Sequence, residues 1–447
     1  MNMQSCGGAP AFRIAALALI SATCMTAAAS GSESYEVWII DQSDTPGLDH
    51  GGTLHIFRGS DFSGGRVPAT DSAEVVDLGG TSAALCRERT DANPVRPHMV
   101  LFNTERTHAI IAFVASGHVL IMDAAKREPV ECLRTTQSPT GRQAHAAFPA
   151  PDGSYILVAN QNGKRLERID SDFSARRFIH NPMATLDLAT CETPAGKPCQ
   201  APGLRPDNAP ICPVVSDAGD LAFVTLRGGG MLVVDPRPTP MRIVAEYDMD
   251  SVKGNGCGGL EVRGRMYVNS GGRPGPLEHL HVYGFDVYRI TLEDFRRGGP
   301  FAPNTPTATS IYHADGQHDS HGMVLTGKAG EFIWVMDRHA DTAEVFATAD
   351  DRRVGTIPLN GPWTDNAAPD LTDVSPAGEL VFVALRGPTP LSGDPHNARG
   401  STPGLGVMRV AEGGKNGELA GIVRMSNAGA DGVERADPHG LRVRRLD

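Results

Sequence analysis

Short runs of apolar and β-branched residues recur along this chain, and turn-forming residues bound each run. Runs of this kind predict buried β-strands, and the apolar spacing that is typical of amphipathic helices is nearly absent. Four clear examples are the segments 155–159, 221–225, 332–336 and 380–384. Each follows a turn that ends in glycine, at Gly153, Gly219, Gly330 and Gly378. Turns of the Asp-Gly type join adjacent antiparallel strands, so the pattern predicts an all-β fold.

A second pattern precedes these turns. Another predicted strand lies there, and a histidine, cysteine or aspartate stands near its start; we call this position the opening of the repeat. Seven such openings are present, at His98, His145, Cys212, Cys257, His321, Asp370 and His439. The intervals between them are 47, 67, 45, 64, 49 and 69 residues. Intervals of this size predict a four-stranded repeat that carries loop insertions.

The two ends of the chain complete the count of repeats. One strand, 440–444, follows the last opening, and three strands near the N-terminus, 35–40, 53–57 and 74–78, have no opening of their own. A blade that both ends share closes a propeller ring and removes its free edges. We therefore predict a seven-bladed β-propeller in which the N- and C-terminal strands share one blade.

Two strand–turn–strand units carry a family resemblance. The segments HAAFPAPDGSYILVANQNGKRLERID and PDLTDVSPAGELVFVALRG resemble the repeats of exported bacterial YVTN-type propellers, a superfamily that also contains lactonase-like and cytochrome-d1-like propellers. The literal YVTN tetrapeptide is replaced here by LVAN and VMDR. The resemblance covers the chain after its first 30 or so residues and implies a fold, not an activity, because such propellers carry unrelated chemistries.

The N-terminal residues predict export. Arg13 is the only charge in residues 1–29, an apolar stretch from Ile14 to Ile20 follows it, and three alanines end at Ala29. This order is typical of a secretory signal peptide. We predict a signal over 1–29, a single propeller domain over 30–447, and a periplasmic or secreted, monomeric protein. No later stretch reaches the roughly 18 apolar residues of a membrane span, and the net charge of −11 argues against nucleic-acid binding.

Six cysteines follow the predicted signal, an even number that favours disulfides in an exported protein. Cys191 and Cys199 flank a short loop and predict a local bridge. Cys86 and Cys132 are a second candidate pair. Cys212 and Cys257 open adjacent blades, so they predict either a disulfide across the channel wall or two thiolate ligands.

The openings predict a site at one mouth of the central channel. The first strand of each propeller blade lines the channel, so four histidines, His98, His145, His321 and His439, would converge there. Imidazole, thiolate and carboxylate hold transition metals, so we predict a copper or iron site with these histidines as ligands. If Cys212 and Cys257 are ligands as thiolates, the preference shifts towards copper or zinc. Asp370 and Asp373 are the candidate acid/base residues.

Three functions remain open at this stage. The first is a metal-dependent oxidoreductase that acts on a small molecule. The second is a metal-free hydrolase of the lactonase-like type, which would use the same mouth, with Asp370, Asp373 and the histidines activating water. The third is a non-catalytic scaffold that binds a partner protein or captures metal.

Overall fold

The computed structural model describes residues 34–274, 281–297, 305–390 and 398–446. The predicted signal peptide, 1–29, lies outside these residues. Almost all regular structure is β, in seven antiparallel sheets of four strands each.

The shared blade takes three strands from the N-terminal part and its innermost strand from the C-terminal end: β1 (Tyr35–Asp41), β2 (Thr53–Arg58), β3 (Glu74–Asp77) and β28 (Pro438–Arg445), in the order β28-β1-β2-β3. Blade 1 contains β4 (Pro97–Phe102), β5 (His108–Phe113), β6 (His118–Asp123) and β7 (Glu128–Arg134). Blade 2 contains β8 (Ala144–Pro149), β9 (Tyr155–Asn160), β10 (Arg165–Asp172) and β11 (Arg177–Asp187). Blade 3 contains β12 (Pro210–Val215), β13 (Ala222–Leu226), β14 (Met231–Asp235) and β15 (Arg242–Tyr247).

The remaining three blades follow the same plan. Blade 4 contains β16 (Gly259–Val262), β17 (Arg265–Pro274), β18 (His281–Thr291) and β19 (Thr309–Asp315). Blade 5 contains β20 (Ser320–Thr326), β21 (Phe332–Asp337), β22 (Thr342–Ala347) and β23 (Arg353–Pro358). Blade 6 contains β24 (Pro369–Val374), β25 (Leu380–Leu385), β26 (Gly404–Ala411) and β27 (Asn416–Arg424). Two short helices interrupt the sequence of strands, α1 (Ala83–Thr90) and α2 (Glu293–Arg297).

The backbone conformation at each predicted turn explains why glycine occurs there. Gly153, Gly219, Gly330 and Gly378 have φ angles of 72°, 68°, 67° and 73°. Glycine adopts positive φ without the steric cost that a Cβ imposes. Each turn connects the innermost strand of its blade to the second strand, as the sequence predicted.

Burial explains why the middle strands are almost continuously apolar. Every residue of β5 and β25 is buried, whereas the outermost strand β15 alternates partly exposed and buried positions. A middle strand is covered on both faces by the adjacent blades, so neither face can be polar without a partner. The outer strand meets solvent on one side.

The shared blade packs against both of its neighbours and so closes the ring. Val37 and Leu441 lie in one core cluster with Phe382 of blade 6, and Trp38 lies in another with Ile111 of blade 1. The prediction of a seven-bladed propeller with a blade shared by the two ends is confirmed.

The described part of the chain contains three disulfides. Cys86–Cys132 joins α1 to β7, and Cys191–Cys199 closes the short loop, as predicted for both pairs. Cys212–Cys257 is the third. Neither helix in the described part of the chain has the length and apolar character that crossing a membrane requires.

Candidate functional site

Five of the predicted site residues lie together on the innermost strands. They are His98, His145, His321, Asp370 and His439, carried by β4, β8, β20, β24 and β28 respectively. The ring centroid of His98 is 4.5 Å from that of His145 and 3.8 Å from that of His439, and the centroids of His321 and His439 are 5.4 Å apart. We call these five side chains the channel cluster.

Asp370 is the anionic member of the channel cluster. Its Oδ1 lies 3.2 Å from Nδ1 of His321 and 3.5 Å from Nε2 of His439, and the carboxylate has no solvent exposure. Burial alone would raise the pKa of Asp370, but the charged guanidinium groups of Arg338 and Arg386 lower it, and the pKa lies below its usual range. This environment favours the ionised form of Asp370.

Three of the imidazoles are oriented through Nδ1. The Nδ1–H of His439 donates to the carbonyl oxygen of His98, and that of His145 donates to the carbonyl oxygen of Ile211, both at 2.9 Å. The Nδ1–H of His98 donates to Oε1 of Gln42 at 2.7 Å. In this tautomer Nε2 keeps the lone pair, which is the arrangement found when an outer partner orients a metal-binding or proton-accepting histidine.

The imidazoles of the channel cluster are neutral. Burial lowers the pKa of His145 to about 4 and that of His439 to about 3. It also places the pKa values of His98 and His321 well below the ordinary histidine range. Burial disfavours the charged form of each ring, so these nitrogens offer lone pairs at neutral pH.

Two arginines hold the carboxylates around the cluster. Arg386 donates from Nη1 to Oδ2 of Asp370 at 2.8 Å and makes a two-point contact with Asp437. Arg338 donates from Nε to Asp319 at 2.9 Å and lies 3.4 Å from Oδ2 of Asp370. Both guanidinium groups contact the same oxygen of Asp370, so Oδ1 is left facing the imidazoles.

Several buried polar atoms of the cluster lack a hydrogen-bond partner. Among the described residues these include Nε2 of His98, Nδ1 of His321 and Oδ1 of Asp370. Buried polar atoms are normally paired, so such exceptions require an explanation. One nitrogen from each of His321 and His439 and one oxygen of Asp370 lie within 4.8 Å of one another. Two imidazoles and a carboxylate at this spacing suit either a cation or a polarised water.

Cys212 and Cys257 lie beside His145, because their sulfurs and a ring nitrogen of that histidine are within 4.8 Å of one another. Their sulfurs are bonded to each other, so in this form of the protein neither is a thiolate. Of the two alternatives that the sequence left open, the structure has the disulfide, and the thiolate-ligand alternative does not apply to the oxidised chain.

Asp373 does not join the channel cluster. Its Oδ2 accepts the backbone N–H of Val443 at 2.9 Å and its Oδ1 accepts that of Val374 at 2.8 Å. These two contacts are with backbone groups of β24 and β28, and they engage both carboxylate oxygens of Asp373. The structure thus separates the two predicted carboxylates.

Arg338 and Arg386 were not predicted from the sequence, although the repeat contains a signal for them. Each directly follows the second strand of its blade, β21 or β25, and Arg227 follows β13 in the same way. An aligned repeat would have shown an arginine at one position in three blades.

Fold and site together define the class of this protein: a seven-bladed β-propeller with a buried carboxylate–imidazole cluster on its innermost strands. No protein-family model and no curated protein sequence matches the chain. Several solved structures do match the chain, and they share its fold. The periplasmic gluconolactonase of Pseudomonas aeruginosa is 14% identical, with a TM-score of 0.54 over 93% of this chain and 100% of that one.

Two further structures show similar agreement. A putative 6-phosphogluconolactonase from Bacteroides uniformis is 12% identical, with a TM-score of 0.55 over 92% of this chain and 99% of that one. A hypothetical selenium-binding protein from Sulfolobus tokodaii is 10% identical, with a TM-score of 0.57 over 91% of this chain and 93% of that one. At these identities the likeness concerns the fold. The predicted fold-level resemblance to lactonase-like propellers is confirmed.

Proposed function

We propose that this protein is a hydrolase of the lactonase-like type and that the channel cluster is its catalytic centre. The observation that carries the proposal is the buried Asp370 carboxylate beside two imidazoles, with Oδ1 3.2 Å from His321 and 3.5 Å from His439. Fold agreement with a gluconolactonase and with a putative 6-phosphogluconolactonase also supports this reaction class. The substrate class that we propose is a sugar lactone.

The chemistry follows from the tautomers. Because Nδ1–H of His439 donates to the backbone, its Nε2 can accept a proton from a water that attacks the lactone carbonyl. A bond forms between the water oxygen and the carbonyl carbon, and the ring C–O bond then breaks. His439 returns the proton to the departing ring oxygen, and the product is an open-chain hydroxy acid. The Asp370 carboxylate stabilises the transient imidazolium, as a buried acid does beside a catalytic histidine.

The substrate would approach from the side of His145. That imidazole is partly exposed, whereas His98, His321, Asp370 and His439 are buried. The exposed edge of His145 is therefore the part of the cluster that a ligand would meet first.

Lactone hydrolysis by purified protein in the presence of a chelator tests this function. We expect turnover of one or more sugar lactones, and a fall in kcat of about 10²–10⁴-fold in His439→Gln and in Asp370→Asn. Asp373→Asn is the matched control, because its carboxylate contacts the backbone of β28, and it should retain the parent rate. Absence of turnover over a panel of lactones, or full activity in His439→Gln, would contradict the proposal.

A second function is favoured by the unpartnered atoms of the cluster. Oδ1 of Asp370 and Nε2 of His98 are acceptors without donors, and the Nε2 lone pair of His439 also faces Asp370. A water supplies only two hydrogens, whereas one cation can satisfy several acceptors. His321, Asp370 and His439 would hold such a cation, and copper or iron there would supply one-electron redox chemistry.

Elemental analysis of protein purified without a polyhistidine tag separates the two functions. Near-stoichiometric copper or iron in the parent, and its loss in His321→Ala together with His439→Ala, would support the metal-dependent oxidoreductase. A metal content equal in parent and variant would contradict it. Lactone turnover that survives chelation would support the hydrolase.

We further propose that the protein is exported after cleavage behind Ala29 and that residues 30–447 form a single, monomeric domain. The three disulfides support an oxidising compartment. Mass spectrometry of the protein recovered from the periplasm or medium tests the cleavage site, and an intact N-terminus there would contradict it.

A further inference from the structure

The sulfur-bearing side of the channel contains a second group of donor atoms. The two sulfurs of Cys212 and Cys257 and a ring nitrogen of His145 lie within 4.8 Å of one another. While the disulfide is intact, the sulfurs have no charge to offer a metal. Reduction would convert them into two thiols beside an imidazole.

A backbone hydrogen bond holds the ring of His145 beside this group. Its Nδ1–H donates at 2.9 Å to the carbonyl oxygen of Ile211, the residue before Cys212. This bond ties the ring to the strand that carries one of the two sulfurs, and it leaves the lone pair on Nε2. Hydrogen bonds of this kind orient the histidine ligands of metal sites.

The two cysteines would remain neighbours without their covalent bond. The hydroxyl of Thr225 donates to the carbonyl oxygen of Gly256, next to Cys257, and accepts the backbone N–H of Cys212 at 3.3 Å. On the other side of Cys257, the N–H of Gly258 donates to Oδ1 of Asn269 at 2.8 Å. These contacts fix the backbone on both sides of the pair.

We propose that reduction of the Cys212–Cys257 disulfide creates a metal site for a thiophilic d¹⁰ cation, with His145, Cys212 and Cys257 as its three protein ligands. Two thiolates and one imidazole are a donor set that binds zinc and leaves its fourth position open. The site is distinct from the proposed copper or iron site, because it uses neither Asp370 nor His321. It also does not depend on lactone hydrolysis.

Reduction of the disulfide requires an external reductant, here a thiol, which supplies the electrons and protons. Two electrons and two protons from a dithiol reduce the S–S bond to two thiols, and the dithiol becomes a disulfide. The cation then displaces the two thiol protons and forms two metal–sulfur bonds and one metal–nitrogen bond. Metal binding therefore releases protons and depends on prior reduction.

Zinc titration of the full-length mature protein tests the proposal. The oxidised protein and protein reduced with a phosphine, then freed of reductant without oxygen, are compared by competition with a chromogenic chelator. We expect one additional zinc equivalent after reduction. Cobalt, used as a spectroscopic probe, should give an intense near-ultraviolet thiolate-to-metal charge-transfer band only in the reduced protein.

Amino-acid substitutions test which residues bind the additional zinc. The additional zinc should be lost in Cys212→Ser/Cys257→Ser, and His145→Ala should weaken it by more than about 100-fold, beyond the effect of an outer-shell partner. Cys191→Ser/Cys199→Ser is the matched control, because it removes a disulfide away from the channel, and it should keep the reduction-dependent zinc. Far-UV circular dichroism establishes that each variant is folded.

Three results would overturn the proposal. The first is a Cys212–Cys257 disulfide that stays intact under reductant in the folded protein. The second is reduction with no gain of zinc. The third is a gain that persists in folded Cys212→Ser/Cys257→Ser. Retention of the gain in His321→Ala would show that it is independent of the proposed copper or iron site.

Discussion

Arg386 donates from Nε and Nη2 to the two carboxylate oxygens of Asp437, at 2.6 and 2.7 Å, where neither side chain meets solvent. The same guanidinium donates from Nη1 to Asp370. It therefore connects blade 6 to the residue that precedes β28 of the shared blade. Planar, bidentate recognition of a carboxylate is the contact for which arginine is better suited than lysine.

Arg386→Gln should destabilise the fold strongly. Removing one partner of a buried ion pair leaves an uncompensated charge and costs about 3–5 kcal/mol. Here Asp437 would lose its two-point arginine contact, and Asp370 would keep only Arg338 as a cationic partner. Urea unfolding of parent and variant gives the difference. Arg352→Gln is the control, because that side chain is 79% exposed and pairs only at the surface, and its midpoint should match the parent. Equal midpoints for Arg386→Gln and the parent would contradict this account.

Substitution of Leu441 measures how much the last strand, β28, contributes to the stability of the closed ring. It is 1% exposed and lies in the core cluster between the shared blade and blade 6, so Leu441→Ala should lower the free energy of unfolding by about 2–5 kcal/mol. Leu446→Ala, at a 45% exposed position beyond β28, should change it by less than about 0.5 kcal/mol. Similar losses in both variants would mean that β28 is not packed as described.

We expect the contribution of His318 to the free energy of unfolding to depend on pH. Its Nδ1 contacts Oδ2 of Asp337 at 2.6 Å, and this hydrogen bond raises the pKa of His318 above its ordinary value. A raised folded-state pKa stabilises the fold below the unfolded-state pKa, and the stabilisation is lost as pH rises through the folded-state value. His318→Gln should therefore be more destabilising, relative to the parent, at about pH 5 than at about pH 9. Denaturant midpoints at the two pH values measure it, and an equal or larger deficit at high pH would contradict it.

Glycine is required at position 256 because the backbone of Asn269 passes too close to leave room for a side chain. A Cβ at this position would lie 1.8 Å from the carbonyl oxygen of Asn269, so Gly256→Ala must displace the segment that carries Cys257. We expect a loss of about 1–3 kcal/mol in the free energy of unfolding. Gly355→Ala, whose Cβ would have its nearest contact at 3.6 Å, is the control and should be close to the parent in the same urea titration.

The strand pattern was predictable because it is local. The predicted strand 440–444 is contained in β28, Pro438–Arg445, and the predicted strand 332–336 in β21, Phe332–Asp337. Helix α1 was not predicted, because its only buried residues are Ala83 and Cys86, too few to form an apolar stripe. Its attachment to β7 through Cys132 is a tertiary contact that no periodicity reveals.

The channel cluster was predictable only in part. The repeat identified residues near the start of the innermost strands, since equivalent positions in successive blades must lie around one axis. It could not separate Asp370 from Asp373, because their different partners, Arg386 and the backbone of β28, are set by contacts beyond β24. Nor did it identify Arg386 as the partner of Asp370.

The sequence by itself determined the number of blades, the sharing of one blade by the two ends, and the residue types that reach the channel. These properties follow from hydrophobic runs and turns within each repeat, over distances of a few residues. The tertiary structure decided which side chains pair. His439 donates to the carbonyl oxygen of His98, 341 positions away, and Arg386 pairs with Asp437, 51 positions away. Ion pairs and tautomers depend on burial and on distances between blades, and only the closed ring sets those.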